Sequence, residues 1–343
     1  MSDRTELLEA AQRAGKLTIE YGFKDRIAKD GYTRIDPFVL AEAVELTVLV
    51  RPLPKLLGAF LREDDVPGIL LNSERPIGMI RLTCAHELGH YFLGHEPHLD
   101  EDIEYSKTAA LTERAANEFA YHLLMPRWLI AKVMNRKRWG IKSLSDPIVV
   151  YQLSLRLGVS FTAMVWSLNA HRLLSSSDAM RLATVKPIDI KTSLVPPRTA
   201  LPKEADVWLL DPEDEETILE PRADDRFLLR LPSHAAAGYM WSAREARQAG
   251  FTIKPVLLDP ETTPKPEGPV VVGAPASLTY IAEPAAEVVA SHRPVSWTLV
   301  ERQPWNPTSE PAAQLDMRTQ FDGLLEGLTP GARRRYLEEV AAR

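Results

Sequence analysis

Two histidines four residues apart, with a glutamate directly after the first, are the residues most suited to chemistry: the segment reads His86-Glu87-Leu88-Gly89-His90. Apolar residues recur at helical spacing on both sides, so the two imidazoles lie on one face of a helix. Histidines so placed can bind one metal ion while the glutamate faces a bound water. The pattern predicts a Zn²⁺ site in which zinc is the Lewis acid and Glu87 the base.

A third protein ligand is expected, because a catalytic zinc usually takes three and keeps one position for water. The extended pattern HExxHxxGxxH requires glycine at 93 and histidine at 96, where this chain has Leu93 and Glu96, which excludes that class. His95 and His98 lie close in sequence. On a continuous helix, however, a residue five positions after His90 is rotated away from the metal face.

Glu113 is the preferred third ligand, on a second helix predicted from Thr112 to Met125. Asn117 follows one turn later on the same face, where its amide oxygen can accept the second N–H of a ligating imidazole. Glu118 is the competing carboxylate, but its rotation from Glu113 prevents both from facing one metal.

Composition bounds the remaining possibilities. The chain has 343 residues, enough for two or three domains, with 45% hydrophobic residues and a net charge of -6. This charge offers no general attraction to nucleic acid or anionic membranes, so direct nucleic-acid binding and membrane association are not expected. The lack of a secretory signal or long apolar run, together with the single Cys84, predicts a cytoplasmic protein. Cys84 is interpreted as a small buried residue.

Several elements are predicted to position the histidine pair. Helices are expected at 4–22 and after the Asp36 cap, followed by strands at 47–53, 58–62 and 68–72 that form a small antiparallel sheet. We expect 68–72 to be the edge strand on which an extended peptide could pair.

The rest of the chain divides into a helical and a β-rich part. Residues 151–174 have the outline of a helix-turn-helix, but the second helix has few side chains suited to phosphates or bases, so we expect it to buttress the domain. Pro, Ser and Thr recur in 183–204, where the helical pattern ends, which indicates a linker. Short alternating runs from Asp206 to Trp305 predict an all-β domain.

The first half of the chain resembles the ImmA/IrrE family of zinc metallopeptidases. The resemblance rests on segments 68–72, 81–90, 113–120 and 123–126 and covers about residues 1–180. It implies His86, His90 and Glu113 as zinc ligands and Glu87 as the catalytic residue. Family members cleave transcriptional repressors or anti-repressor partners during stress, which implies a protein substrate of this kind. Many carry an N-terminal helix-turn-helix domain, which this chain lacks, so its regulatory partner would be separate.

The second half resembles the chagasin family of cysteine-peptidase inhibitors over about residues 205–322. Three loops carry the resemblance, at 231–241, 273–276 and 303–306. It implies an immunoglobulin-like β-sandwich whose loops enter a protease cleft. The chain departs from the family pattern with Ala-Ala in the first loop and Gln303 in the third. If Trp241 and Trp305 are exposed, the loops could inhibit another peptidase, bind substrate, or cover the zinc cleft of this chain. The alternative is that both tryptophans lie in the core of the sandwich.

The predicted fold class is therefore α+β, a zincin-like metallopeptidase domain followed by an all-β sandwich. The predicted segments are a peptidase domain at 1–135, a helical subdomain at 136–182, a linker at 183–204, a chagasin-like domain at 205–322 and a C-terminal helix at 323–343. The chain is predicted to be a zinc-dependent endopeptidase. Two alternatives remain open, namely a non-catalytic protein that binds a regulator and a peptidase inhibitor acting through the C-terminal domain.

Overall fold

A computed structural model describes residues 3–341 except 64–65, 97, 101–108, 197–200, 203, 257–275, 307, 309 and 324–325, and its fold is mixed α+β. The helices are α1 (Asp3–Glu20), α2 (Phe23–Asp25), α3 (Pro37–Ala43), α4 (Ile77–Leu93), α5 (Leu111–Leu124), α6 (Arg127–Arg136), α7 (Pro147–Leu157), α8 (Phe161–Ala170), α9 (Ser176–Ala183), α10 (Pro187–Leu194), α11 (Arg244–Gln248), α12 (Ala286–Ala290) and α13 (Pro330–Ala341). The strands are β1 (Thr47–Arg51), β2 (Gly58–Glu63), β3 (Val66–Asn72), β4 (His98–Asp100), β5 (Val207–Leu210), β6 (Ile218–Leu219), β7 (Arg226–Ser233), β8 (Met240–Ser242), β9 (Phe251–Pro255), β10 (Ala276–Pro284), β11 (Val295–Arg302), β12 (Ala313–Thr319) and β13 (Gly327–Leu328).

The chain forms two compact units. The first comprises Met1–Asn135, Trp139–Val185 and Leu324–Arg343, and the second comprises Arg136–Arg138 and Lys186–Gly323. The stretch in which the sequence indicates a linker contains helix α10. Helix α10 begins at Pro187. Proline fits the first position of a helix, because the N–H group that it lacks would have no hydrogen-bond partner within the helix.

The sheet of the first unit has the order β13-β1-β3-β2-β4. The predicted antiparallel sheet is wrong in part, because β1 pairs parallel with β3 while β2 pairs antiparallel with it. The prediction of 68–72 as the edge is also wrong, since β3 lies between β1 and β2. Its alternate residues Ile69 and Leu71 are buried, so one face of the strand is covered.

Helix α4 is the central element of the first unit. Every residue from Ile80 to His90 is buried, including the polar side chains of Arg81, His86, Glu87 and His90. Helix α5 packs against it. The apolar residues of α5 recur with the helical period and are buried, namely Ala115, Ala116, Phe119, Ala120, Leu123 and Leu124. The backbones approach closely where Gly89 faces Ala116. A Cβ at Gly89 would lie 3.0 Å from the Ala116 Cα.

The C-terminal segment belongs to the first unit. Strand β13 pairs antiparallel with β1 at the end of the sheet, and the Thr329 N–H donates to the Val48 carbonyl at 3.1 Å. In helix α13, Arg335 donates to the Leu46 carbonyl at 2.8 Å, and Ala332 is buried. The predicted C-terminal helix is therefore preceded by a strand that covers the β1 edge.

The second unit contains two four-stranded sheets, ordered β5-β7-β10-β9 and β6-β12-β11-β8. Its core includes Phe251 stacked on Trp297, with ring centroids 4.6 Å apart, and the buried Trp208. The Trp208 indole donates to the Asp225 carboxylate at 2.8 Å. Residues 273–275 of the predicted second loop lie outside the described residues.

Among the described helices, no single one has the length and mean hydropathy to cross a bilayer. Helices α7 and α8 reach those values only when taken together, across a 99° bend.

Candidate metal centre

His86 and His90 lie on one face of α4, and both are fully buried. Their Nε2 atoms are 3.0 Å apart, and their rings meet edge to face with centroids at 4.7 Å. The four-residue spacing thus brings two imidazole nitrogens to one point, as the sequence predicts.

Glu113, in the first turn of α5, brings its carboxylate to the same point. Its Oε2 lies 3.3 Å from the His86 Nε2, and its Oε1 lies 3.5 Å from the His90 Nε2. Glu118 instead faces His122, whose Nδ1 is 3.3 Å from the Glu118 Oε2. Its side chain is 44% exposed, against 17% for Glu113. The close packing of α4 and α5 therefore selects Glu113 of the two carboxylates.

The three ligand atoms of His86, His90 and Glu113 lie within 4.8 Å of one another and fit a zinc ion. Zinc bonds of 2.0–2.1 Å in tetrahedral geometry separate neighbouring ligand atoms by about 3.3–3.4 Å. The closest approaches given above, 3.0, 3.3 and 3.5 Å, cluster around that value. Two imidazoles and one carboxylate also form a donor set that suits Zn²⁺.

The second nitrogen of each imidazole has its own partner. The His86 Nδ1 lies 3.0 Å from the Asn117 Oδ1, in the supporting position that the sequence predicts for Asn117. The His90 Nδ1 lies 2.9 Å from the Nδ1 of His95. Sequence reasoning missed this contact, because it considered His95 only as a metal ligand on a continuous helix. The signal was Gly94, which ends α4 before His95.

Glu87 is buried on α4, next to the first histidine. A Cβ at Gly58 of β2 would lie 3.1 Å from the Glu87 Oε1 and 2.5 Å from the Thr83 Cγ2. Strand β2 thus passes directly over the glutamate, and only glycine fits there without displacing a neighbour. Sequence reasoning missed Gly58, although a glycine in a strand often marks a place where another group approaches closely.

Cys84 is buried two residues before His86. Burial raises the pKa of its thiol well above the usual value, and the nearby Asp36 and Glu87 carboxylates raise this pKa further. The protonated thiol is a poor metal ligand and a poor nucleophile, since the thiolate performs both roles. This agrees with the interpretation of Cys84 as a small buried residue.

Helices α7 and α8 form the predicted helix-turn-helix outline. They are joined through Gly158, whose φ of 70° is the left-handed conformation that glycine adopts readily. Of the polar side chains on α8, Ser167 is buried, while Asn169 donates to the Leu174 carbonyl at 3.1 Å and Thr162 is exposed. The buried and internally bonded side chains fit a buttressing role.

Two aromatic residues of the predicted C-terminal loops differ in exposure. Trp305 is 70% exposed and its ring lies against Gly238, where a Cβ would be 2.3 Å from the Trp305 Cη2. Trp241 is half-buried, and its indole N–H donates to a backbone carbonyl at 2.8 Å. The His234 N–H donates to the Glu301 Oε1 at 2.8 Å, which ties the first loop to β11.

Comparisons with known proteins support this description of the first unit. Residues 41–169 match the model of the peptidase M78 family, described as the IrrE N-terminal-like domain. No curated protein matches the chain significantly. Among solved structures, a crystal structure of the cysteine protease inhibitor EhICP2 from Entamoeba histolytica matches 34% of this chain and 97% of its own. The identity is 16% and the TM-score 0.23, which is too low to establish a shared fold.

Proposed function

We propose that this chain, whose residues 41–169 form an IrrE N-terminal-like domain of a peptidase family, is a zinc-dependent endopeptidase that acts on a protein. The observation that carries the proposal is the convergence of His86, His90 and Glu113, whose ligand atoms lie within 4.8 Å. Buried imidazoles in a closely packed helix pair form a site that does not need to rearrange to accept a metal. Such preorganisation is what catalytic constellations require.

Each residue has a distinct role in this proposal. His86, His90 and Glu113 would hold the metal, and Glu87 is the catalytic residue. Bound zinc would supply a Lewis acid for the peptide carbonyl and lower the pKa of a water towards ~7. The Glu87 carboxylate accepts the proton of the attacking water and delivers it to the leaving amine. Its burial beneath β2 holds it in a fixed position for both transfers.

The proposed substrate is a transcriptional repressor or a similar regulator, as the family resemblance implies. The first unit would have a zincin-like fold, and the second an immunoglobulin-like β-sandwich that controls access or recruits a partner. The exposed Trp305 supports a binding role for the second unit, because exposed tryptophan supplies a rigid apolar anchor.

Metal content is the first test of the proposal. Protein purified without added metal should contain one zinc per chain by mass spectrometry, and Glu113→Ala should lose it. Glu118→Ala is the matched control, since Glu118 lies on the same helix and faces His122 instead. Absence of zinc from wild-type protein, even after zinc is supplied, would contradict the proposal.

Cleavage is the second test, and it separates an enzyme from a protein that only binds a regulator. Wild-type protein with zinc should create new N-termini in a proteome extract, identified by N-terminal labelling and mass spectrometry. Glu87→Gln should retain zinc and create none, because the amide cannot accept the proton. If the Glu87→Gln protein still performs the cellular function of the wild-type protein, the non-catalytic alternative is correct.

A further inference from the structure

We infer that His95 is a positioning residue for the metal centre, because it accepts the Nδ1–H of His90 and so orients that imidazole. The inference rests on the proposed function, since it concerns how the chain prepares His90 to hold zinc. The two Nδ1 atoms are 2.9 Å apart, and the rings meet at an interplanar angle of 64° with centroids 4.9 Å apart.

The backbone at the end of α4 produces this contact. Gly94 adopts a left-handed conformation with φ 72°, which ends the helix after Leu93. The His95 N–H then bonds the His90 carbonyl at 2.9 Å, and the Gly94 N–H bonds the Tyr91 carbonyl at 3.3 Å. These two bonds define a Schellman motif, which brings the second residue after the helix next to the residue five positions earlier. Here the paired residues are His95 and His90.

The hydrogen-bond direction follows from the position of His90. Its Nε2 lies 3.0 Å from the His86 Nε2 and 3.5 Å from the Glu113 carboxylate, so this nitrogen faces the metal position. An imidazole that binds a metal through Nε2 carries its proton on Nδ1. The His95 Nδ1 therefore accepts a hydrogen bond from the His90 Nδ1–H, and the proton of His95 is on its own Nε2.

The two zinc-binding histidines are thus supported in parallel ways. His86 donates through Nδ1 to the Asn117 Oδ1, and His90 donates through Nδ1 to the His95 Nδ1. A partner of this kind fixes both the tautomer and the ring orientation of the ligand, and its loss typically costs 10–100-fold in metal affinity. His90 is fully buried, so its ring depends on the neighbouring side chains for hydrogen bonding.

Three variants of the full chain test the inference. His95→Phe keeps a ring but removes the acceptor, and His95→Leu removes it with a smaller side chain. His95→Asn places Oδ1 where the histidine has Nδ1, as Asn117 does for His86. The zinc dissociation constant is measured by competition with a chelator, and apo-protein thermal midpoints check that each variant is folded.

His95→Phe and His95→Leu should bind zinc about 10–100-fold more weakly than wild type. His95→Asn should recover most of that loss, while all apo midpoints stay close to wild type. Equal zinc affinity in wild type and the folded acceptor-free variants would overturn this inference but leave the proposed function intact. Equal weakening in His95→Asn would overturn it too, because the role would then be packing. If the wild-type protein binds no zinc, both the proposed function and this inference are wrong.

Discussion

Replacement of Gly89 by alanine should disrupt the candidate metal centre through the packing of α4 on α5. The new Cβ would lie 3.0 Å from the Ala116 Cα, 3.1 Å from its carbonyl oxygen and 3.3 Å from its Cβ. Carbon atoms pack best at about 3.5–4.0 Å, so the helices must separate by roughly 0.5–1 Å. Glu113 lies one turn before Ala116 on α5, so its carboxylate would move away from the histidines. Metal–ligand distances in proteins lie within about 0.2 Å of their usual values, so a movement of this size matters.

The expected free-energy change combines two opposing terms. Alanine favours a helix interior over glycine by about 1 kcal/mol, whereas overpacking a close contact costs about 1–3 kcal/mol. Gly15 in α1 is the matched control, because a Cβ there meets nothing within 4 Å. Gly15→Ala should stabilise the first unit by about 0.5–1 kcal/mol. Gly89→Ala should be about 1–3 kcal/mol less stable than Gly15→Ala.

Urea denaturation of the apo-proteins measures this difference in stability. The transition of the first unit is identified as the one that added zinc shifts to higher urea concentration. The zinc dissociation constant, from chelator competition, should rise at least about ten-fold in Gly89→Ala and stay at the wild-type value in Gly15→Ala. If Gly89→Ala is as stable as Gly15→Ala and binds zinc as wild type does, the packing argument is refuted.

Asn117→Leu should weaken zinc binding about ten-fold by removing the acceptor for His86, and unchanged affinity in chelator competition would contradict this. Deletion of residues 324–343 should lower the urea midpoint of the first unit and promote self-association visible by light scattering, since β1 becomes an edge strand; a monomer of wild-type stability would count against it. Burial raises the pKa of Asp225 to about 6, so the native state retains a proton that the unfolded chain loses. Stability of the second unit should fall by about 2 kcal/mol between pH 4 and pH 6, and urea midpoints of Asp225→Asn should lack this slope.

Much of the candidate site could be predicted because it depends on local geometry. A spacing of four residues on a helix places His86 and His90 together whatever surrounds them. The same rule separates Glu113 from Glu118 and places Asn117 one turn from Glu113. The buried stripe of α5 was readable for the same reason, since its apolar residues recur with the helical period.

The sheet order and the outer partners of the site could not be read in this way. Strand pairing depends on which distant segments bury each other, so the central position of β3 and the return of β13 to β1 are decided by tertiary packing. His95 reaches His90 because the helix ends at Leu93, and helix ends are less certain from sequence than helical faces.

The sequence by itself determined the metal-binding pattern, the candidate ligands and the mixed α+β character of the chain, because residue type and helical spacing are sufficient for these. Tertiary structure alone decided that Glu113 meets the two histidines, that Gly58 lies over Glu87 and that the C-terminal segment completes the first unit. The physical reason is that covalent geometry sets distances within a helix, whereas distances between elements depend on the burial of apolar surface throughout the unit.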